Sequence, residues 1–294
     1  GGHSEPSSRS KGAVFTRNMQ TATAEVAMML RSYLSDDRIE VVEEAAELLK
    51  SIFRLPHCKQ HFENEFDAKT QEFFSPFLNA ETLPAGKAGL VAAHTMALNA
   101  DPLSMLPWED PVTLQPKRYP EWLAVLAAAL CRADESDDLW PLCAKMCSLR
   151  QDFAELVFPY LILGRFLGWA QPGQSYSQSP ARSAGSNRGP DPRVELGAAL
   201  QKHVLGNDKA DVEAVRLVLG ALEQLRACFQ KVKLAEQDSS ARECSLSREV
   251  AQWKTSFWLD LDYVEVARAA LKCDAHVTAL LYMELSITQA RENA

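Results

Sequence analysis

Two consecutive stretches near the C-terminus carry one spacing: Leu259, Tyr263, Val266 and Ala270 fall at i, i+4, i+7 and i+11, and His276, Leu280, Met283 and Ile287 repeat it. That period places each set along one face of a helix, so the chain must accommodate two amphipathic helices in immediate succession. With so short a connection they can bury those faces only by folding back as a hairpin, with the turn near Cys273-Asp274. Asp260 and Asp262 suit a helix N-terminus, Arg268 and Lys272 a C-terminal end, and Asp274 is predicted to cap the second helix. Ala267, Ala270, Ala275 and Ala279 are small enough to let the backbones approach. Trp258, Leu261 and Leu280 are expected inside the contact.

The same period recurs upstream. Val26, Met29, Leu30, Tyr33 and Leu34 mark one helix, Ser35-Asp36-Asp37 a polar turn, and Val42, Ala45, Leu49 and Ile52 a second helix. The run from Leu34 to Ala46 resembles a HEAT repeat, although it lacks a basic residue directly after Val41. Further helices are predicted over 58–66, 68–78, 90–98, from Trp122 to Ala129, 139–149, 153–169 with a kink at Pro159, 194–205 and 212–232, with Gly220 a weak point in the last. Prolines interrupt 102–120, and 237–242 reads as a loop. Strand-period alternation is sustained nowhere. The fold class is therefore all-α: an α-solenoid of stacked antiparallel helical hairpins, in which each unit covers its neighbour's apolar side.

Composition narrows the function classes. A formal charge of -8 and a pI near 5.4 disfavour an extended nucleic-acid groove, which needs clustered Lys and Arg to displace counterions. The longest apolar runs, 122–131 and 156–163, fall short of the roughly 20 residues a membrane helix requires. Seven scattered cysteines do not make a disulfide framework and fit a reducing compartment. The polar opening Gly1-Gly2-His3-Ser4-Glu5-Pro6 has neither an initiator Met nor a leader pattern, so the chain reads as an internal fragment. Residues 171–193, rich in Ser, Gly and Pro, cannot bury enough surface to offset their ordering. The expected organisation is a flexible tail over 1–18, a HEAT-like solenoid over 19–170, a disordered linker over 171–193 and a helical region over 194–294.

One stretch carries a family resemblance. Phe257-Trp258-Leu259-Asp260-Leu261-Asp262-Tyr263-Val264-Glu265-Val266-Ala267, continued through Ala275 to Glu284, resembles the start of the FAT region of the ataxia-telangiectasia-mutated (ATM)-like branch of the phosphatidylinositol-3-kinase-related protein kinases. Trp122, Met146-Cys147, Asp152-Phe153 and Val157 to Ile162 extend the likeness upstream. The resemblance implies a nuclear, homodimeric serine/threonine kinase that signals DNA double-strand breaks. It further implies recruitment by a break-sensing complex and use of ATP with a divalent metal. On this reading 194–294 leads into the FAT region, and the chain's partners are the remaining FAT and kinase parts of the same polypeptide. A stand-alone solenoid adaptor or transport scaffold, acting by protein binding, satisfies the HEAT-like units equally.

No catalytic, cofactor-binding or metal-ligating residue is assigned, because the phosphate-covering loop, phosphate-binding Lys and catalytic Asp that phosphoryl transfer needs are not found. Asp152-Phe153-Ala154 has the look of a metal-binding Asp-Phe-Gly, but it heads an apolar helix without a catalytic-loop partner. His57 and His61 share a helix face at i, i+4 beside Cys58, with no further ligand to complete a metal site. Cys143 and Cys147 share a face and read as buried small hydrophobes. Arg216, Arg226, Lys231 and Lys233 make a modestly basic face that reads as solvated. The resembled kinases phosphorylate Ser or Thr before Gln, which makes Ser177, Thr70 and Thr288 candidates. Ser177 is the best placed of them: a phosphate there would bring about -1.5 to -2 charges close to Arg182 and Arg188.

Overall fold

A computed structural model describes residues 8–55, 66–78, 118–132, 138–168, 192–238 and 261–292. Among these residues there is no strand. The architecture is all-α, as the periodicity requires, with helices stacked on one another in the manner of an α-solenoid. The helices are α1 (Ser8–Tyr33), α2 (Ile39–Ile52), α3 (Ala68–Leu78), α4 (Tyr119–Arg132), α5 (Leu139–Leu149), α6 (Gln151–Gly168), α7 (Pro192–Leu200), α8 (Val212–Asp238), α9 (Tyr263–Lys272) and α10 (His276–Glu292). A π-helical turn, Gln201–Leu205, continues α7. No described helix is long and apolar enough to cross a membrane. The expected helices over 58–66 and 90–98 lie outside the described residues. Helix α1 begins at Ser8, so the stretch read as a flexible tail is helical from there onward. Beyond Pro6 no proline interrupts it, and Lys11, Ala13, Arg17 and Met19 are good helix formers. Helix α8 likewise runs to Asp238, two residues into the expected loop.

The helices group into two compact units. In the first, formed chiefly by α1 to α6, Val41, Ala45, Leu48, Leu49 and Ile52 turn one face of α2 inward while Glu40, Glu43 and Glu47 stay outside. The aromatic core joins Trp140 to Tyr160 (ring centroids 6.4 Å, stacked), Trp122 to Phe158 (6.2 Å) and Tyr33 to Phe153 (6.3 Å). Phe74, fully buried, meets Phe53 at 5.1 Å and Phe66 at 5.5 Å. Tyr160 donates its hydroxyl to Glu25 at 2.7 Å, tying α6 to α1.

Two inter-helix turns of this unit are clasped by arginine. Arg38, at the entry to α2, donates from Nη2 to the carbonyl of Leu149 at 3.1 Å, satisfying an orphan acceptor at the end of α5. Arg150, between α5 and α6, forks onto Asp152 at 2.9 and 2.8 Å and reaches Asp36 of the α1–α2 turn at 2.6 Å. Its guanidinium lies 4.7 Å from the Tyr33 ring centroid. The hydrogen bonds from Arg150 hold the Asp152 carboxyl below the usual carboxylate range. A depressed folded pKa contributes stability that is complete above the unfolded value, about 3.9, and is lost as pH falls through the folded value. Arg150→Met should therefore lower the urea midpoint at pH 7 and flatten its decline at acid pH. Parallel acid profiles for the two proteins would refute the clasp.

The second unit is built on α7 to α10. Gln201, in the π-turn, accepts the backbone N–H of Asp262 at 3.1 Å, and Asp262 caps α9 by accepting from the N–H of Val264 at 2.8 Å. Lys272 pairs with Asp208 at 2.5 Å, and the Cys273 thiol points to the Val212 carbonyl at 3.7 Å, tying the end of α9 to the start of α8. Gly220 sits inside α8 with nothing within 4 Å of where a Cβ would stand. Gly220→Ala should then stabilise the chain by about 1 kcal/mol, read as a rise in melting temperature; a fall would mean that the position is crowded after all.

Candidate functional surface

The α9–α10 hairpin forms as its spacing predicts, but by a different face of its second helix. Tyr263, Val266, Ala267 and Ala270 of α9 are buried, and Tyr263 meets Tyr282 of α10 at 6.0 Å. Leu261 is buried, while Trp258 and Leu259 lie outside the described residues. On α10 the inward residues are Ala279 and Tyr282. Leu280, expected inside, is 66% exposed, and His276, Met283 and Ile287 of the same row are exposed too. Apolar residues run almost all the way round α10, so the periodicity contained two candidate faces. Tyr282, whose ring supplies the larger buried area, and Ala279, which allows close approach, decide which one turns inward.

Asp274 is corrected as well. It does not cap α10; it stands at φ 58, in the left-handed region, as the residue that ends α9. Its N–H bonds the Leu271 carbonyl at 3.1 Å and that of Ala275 bonds Ala270 at 3.0 Å, the two bonds of a Schellman motif. The connection is so short that this residue is consumed by the helix it closes.

The consequence is a stripe of exposed apolar side chains along α10: Val277 (83% exposed), Leu280, Met283 (42%) and Ile287 (49%). Leu271, at the end of α9, is 54% exposed. These side chains leave a row of large apolar groups in contact with water on one helix face.

Several of the remaining candidates resolve into structural roles. Asp152 is held by Arg150 and Phe153 is fully buried, so that triplet is a helix start with an arginine clasp. Cys143 and Cys147 are buried reduced thiols, as expected. Arg216 pairs with Glu213 at 2.7 Å and Arg226 with Glu223 at 2.6 Å, so these two members of the basic face are neutralised by carboxylates one turn away. The side chains of Lys231 and Lys233 lie outside the described residues. Thr70 is 6% exposed, its N–H bonded to Asp67 and its hydroxyl to Arg31, which leaves no room for modification of the folded chain. Thr288 is exposed and donates to the Glu284 carbonyl at 2.9 Å. Ser177, His57, Cys58 and His61 fall outside the described residues. Among the described residues no group of His, Cys, Asp and Glu is arranged to hold a metal ion.

No protein-family model matches the chain. It is 19% identical over 279 residues to the serine/threonine-protein kinase ATM of Arabidopsis thaliana, an alignment that takes in 87% of this chain and 7% of that protein. It is 27% identical over 177 residues to the serine-protein kinase ATM of Sus scrofa, taking in 58% of this chain and 5% of that protein. The chain thus spans a small fraction of the length of the curated relatives it matches. Together the two matches, from a plant and a mammal, support an ATM-like relationship for this chain.

Proposed function

We propose that this chain is a non-catalytic helical scaffold segment of an ATM-like serine/threonine protein kinase that signals DNA double-strand breaks. The exposed stripe on α10 carries the reading. A solenoid transmits support only by covering each helix with the next, and Val277, Leu280, Met283 and Ile287 form a face suited to receive a further helix. The low-identity similarity to two ATM kinases supports an ATM-like parent. On this proposal 19–170 are HEAT-like, 171–193 a linker, and 194–294 lead into a FAT region whose later helices, with the kinase part, are the partners. ATP, the divalent metal, the homodimer contacts, the break-sensing complex and the nuclear location belong to the parent.

The direct test is to read the transcript past Ala294. Further helical segments followed by kinase catalytic motifs are expected; a natural stop codon immediately after Ala294 would favour the stand-alone adaptor instead. In the isolated chain, replacing both Leu280 and Ile287 by Asp should leave the melting temperature within about a degree, since exposed side chains contribute little to folding, and should reduce self-association seen by light scattering. A cooperative loss of fold would show that the stripe is already covered.

A further inference from the structure

Cys131 and Cys147 are both 0% exposed, and their sulfur atoms stand 3.9 Å apart across α4 and α5. A disulfide needs about 2 Å between sulfurs, so a movement of about 2 Å, within reach of a side-chain rotation and a small helix shift, would join them. The two thiols already lie in contact with each other. We propose that Cys131 and Cys147 form a peroxide-oxidisable dithiol whose disulfide staples α4 to α5.

The chemistry balances with hydrogen peroxide as the oxidant. The thiolate of one cysteine attacks a peroxide oxygen, the O–O bond breaks, and a sulfenic acid forms with release of one water. The sulfur of the second cysteine then attacks the sulfenic sulfur, the S–O bond breaks, and the hydroxyl leaves with the second thiol's proton as another water. Two thiols are oxidised by two electrons and one peroxide is reduced to two waters. Both sulfurs are shut away from solvent, so peroxide reaches them only on local opening of α4 against α5, and oxidation is slow. The second step is fast because the resolving thiol is held in contact. Cys143 is the competing partner, one turn before Cys147 on the same helix.

The test exploits the positions of the basic residues. Trypsin separates Tyr119–Arg132, carrying Cys131, from Ala133–Lys145, carrying Cys143, and from Met146–Arg150, carrying Cys147. The 294-residue chain is exposed to hydrogen peroxide under native conditions, alkylated after denaturation without reductant, digested and analysed by mass spectrometry. The expected product is the cross-linked pair of the first and third peptides, two hydrogens lighter than their sum. It should persist in Cys143→Ser, vanish in Cys147→Ser, and be accompanied by a rise in melting temperature that dithiothreitol reverses. Full alkylation of Cys131 in the oxidised sample, or its pairing chiefly with any other cysteine, would overturn the proposal. So would a melting temperature that falls on oxidation. Circular dichroism of the Cys143→Ser protein checks that the helices remain in place, so that a negative result cannot be blamed on misfolding.

Discussion

Replacing Trp140 by alanine should cost the first unit about 3–5 kcal/mol, enough to leave it marginal or unfolded. Trp140 is fully buried and lies stacked on Tyr160, whose hydroxyl in turn anchors α6 to α1 through Glu25. The loss has two parts: the transfer of a large ring from water, and the cavity left where α5 and α6 cannot collapse onto each other. Trp140→Phe should cost much less. Its ring still fills most of the space, and it removes an indole N–H that is buried and has no hydrogen-bond acceptor among the described residues. The ordering alanine, phenylalanine, wild type in urea midpoint checks both statements; an alanine variant within about 1 kcal/mol of wild type would contradict the burial.

Asp274→Pro is expected to be equally severe in the second unit, by a backbone mechanism. Proline fixes φ near -65°, whereas this residue sits at φ 58. It also removes the N–H that bonds Leu271 and disturbs the bond from Ala275 to Ala270 that closes α9. The cost should exceed about 3 kcal/mol and fall on the α9–α10 pairing. Hydrogen exchange of the α10 amides would report it as lost protection. Asp274→Gly should match or slightly exceed wild type, because glycine adopts the left-handed region without a Cβ penalty. Equal protection in the proline and glycine variants would rule out the left-handed turn.

Much of the molecule is legible from the chain because helices are local objects. The hairpin turns at Ser35-Asp36-Asp37 and near Cys273, the whole of α5 and the cap at Asp262 follow from residues within a few positions of one another. The inward residues of α9 are also legible, and those of α2 in part: Ala45, Leu49 and Ile52 turn inward as expected, but Val41 and Leu48 are buried where Val42 was expected and is only half-buried. What made Asp152-Phe153-Ala154 resemble a chemical site was composition; its partner Arg150 stands two residues away, and their bidentate pairing gives the carboxylate a structural role.

Three features required the folded chain. Helix α10 has apolar groups on opposite sides, so only packing against α9 could assign Tyr282 to the interior and Leu280 to the surface. The arginine clasp joins Asp36 to Arg150 across 114 positions, and the Cys131–Cys147 contact spans 16 with an inter-helix turn between them. Periodicity along one segment determined that these helices exist and where they stop; it holds no information on the distance between side chains on different helices. Which faces meet was decided by tertiary packing, where ring area, small residues and charge pairing compete across helices that the local pattern treats one at a time.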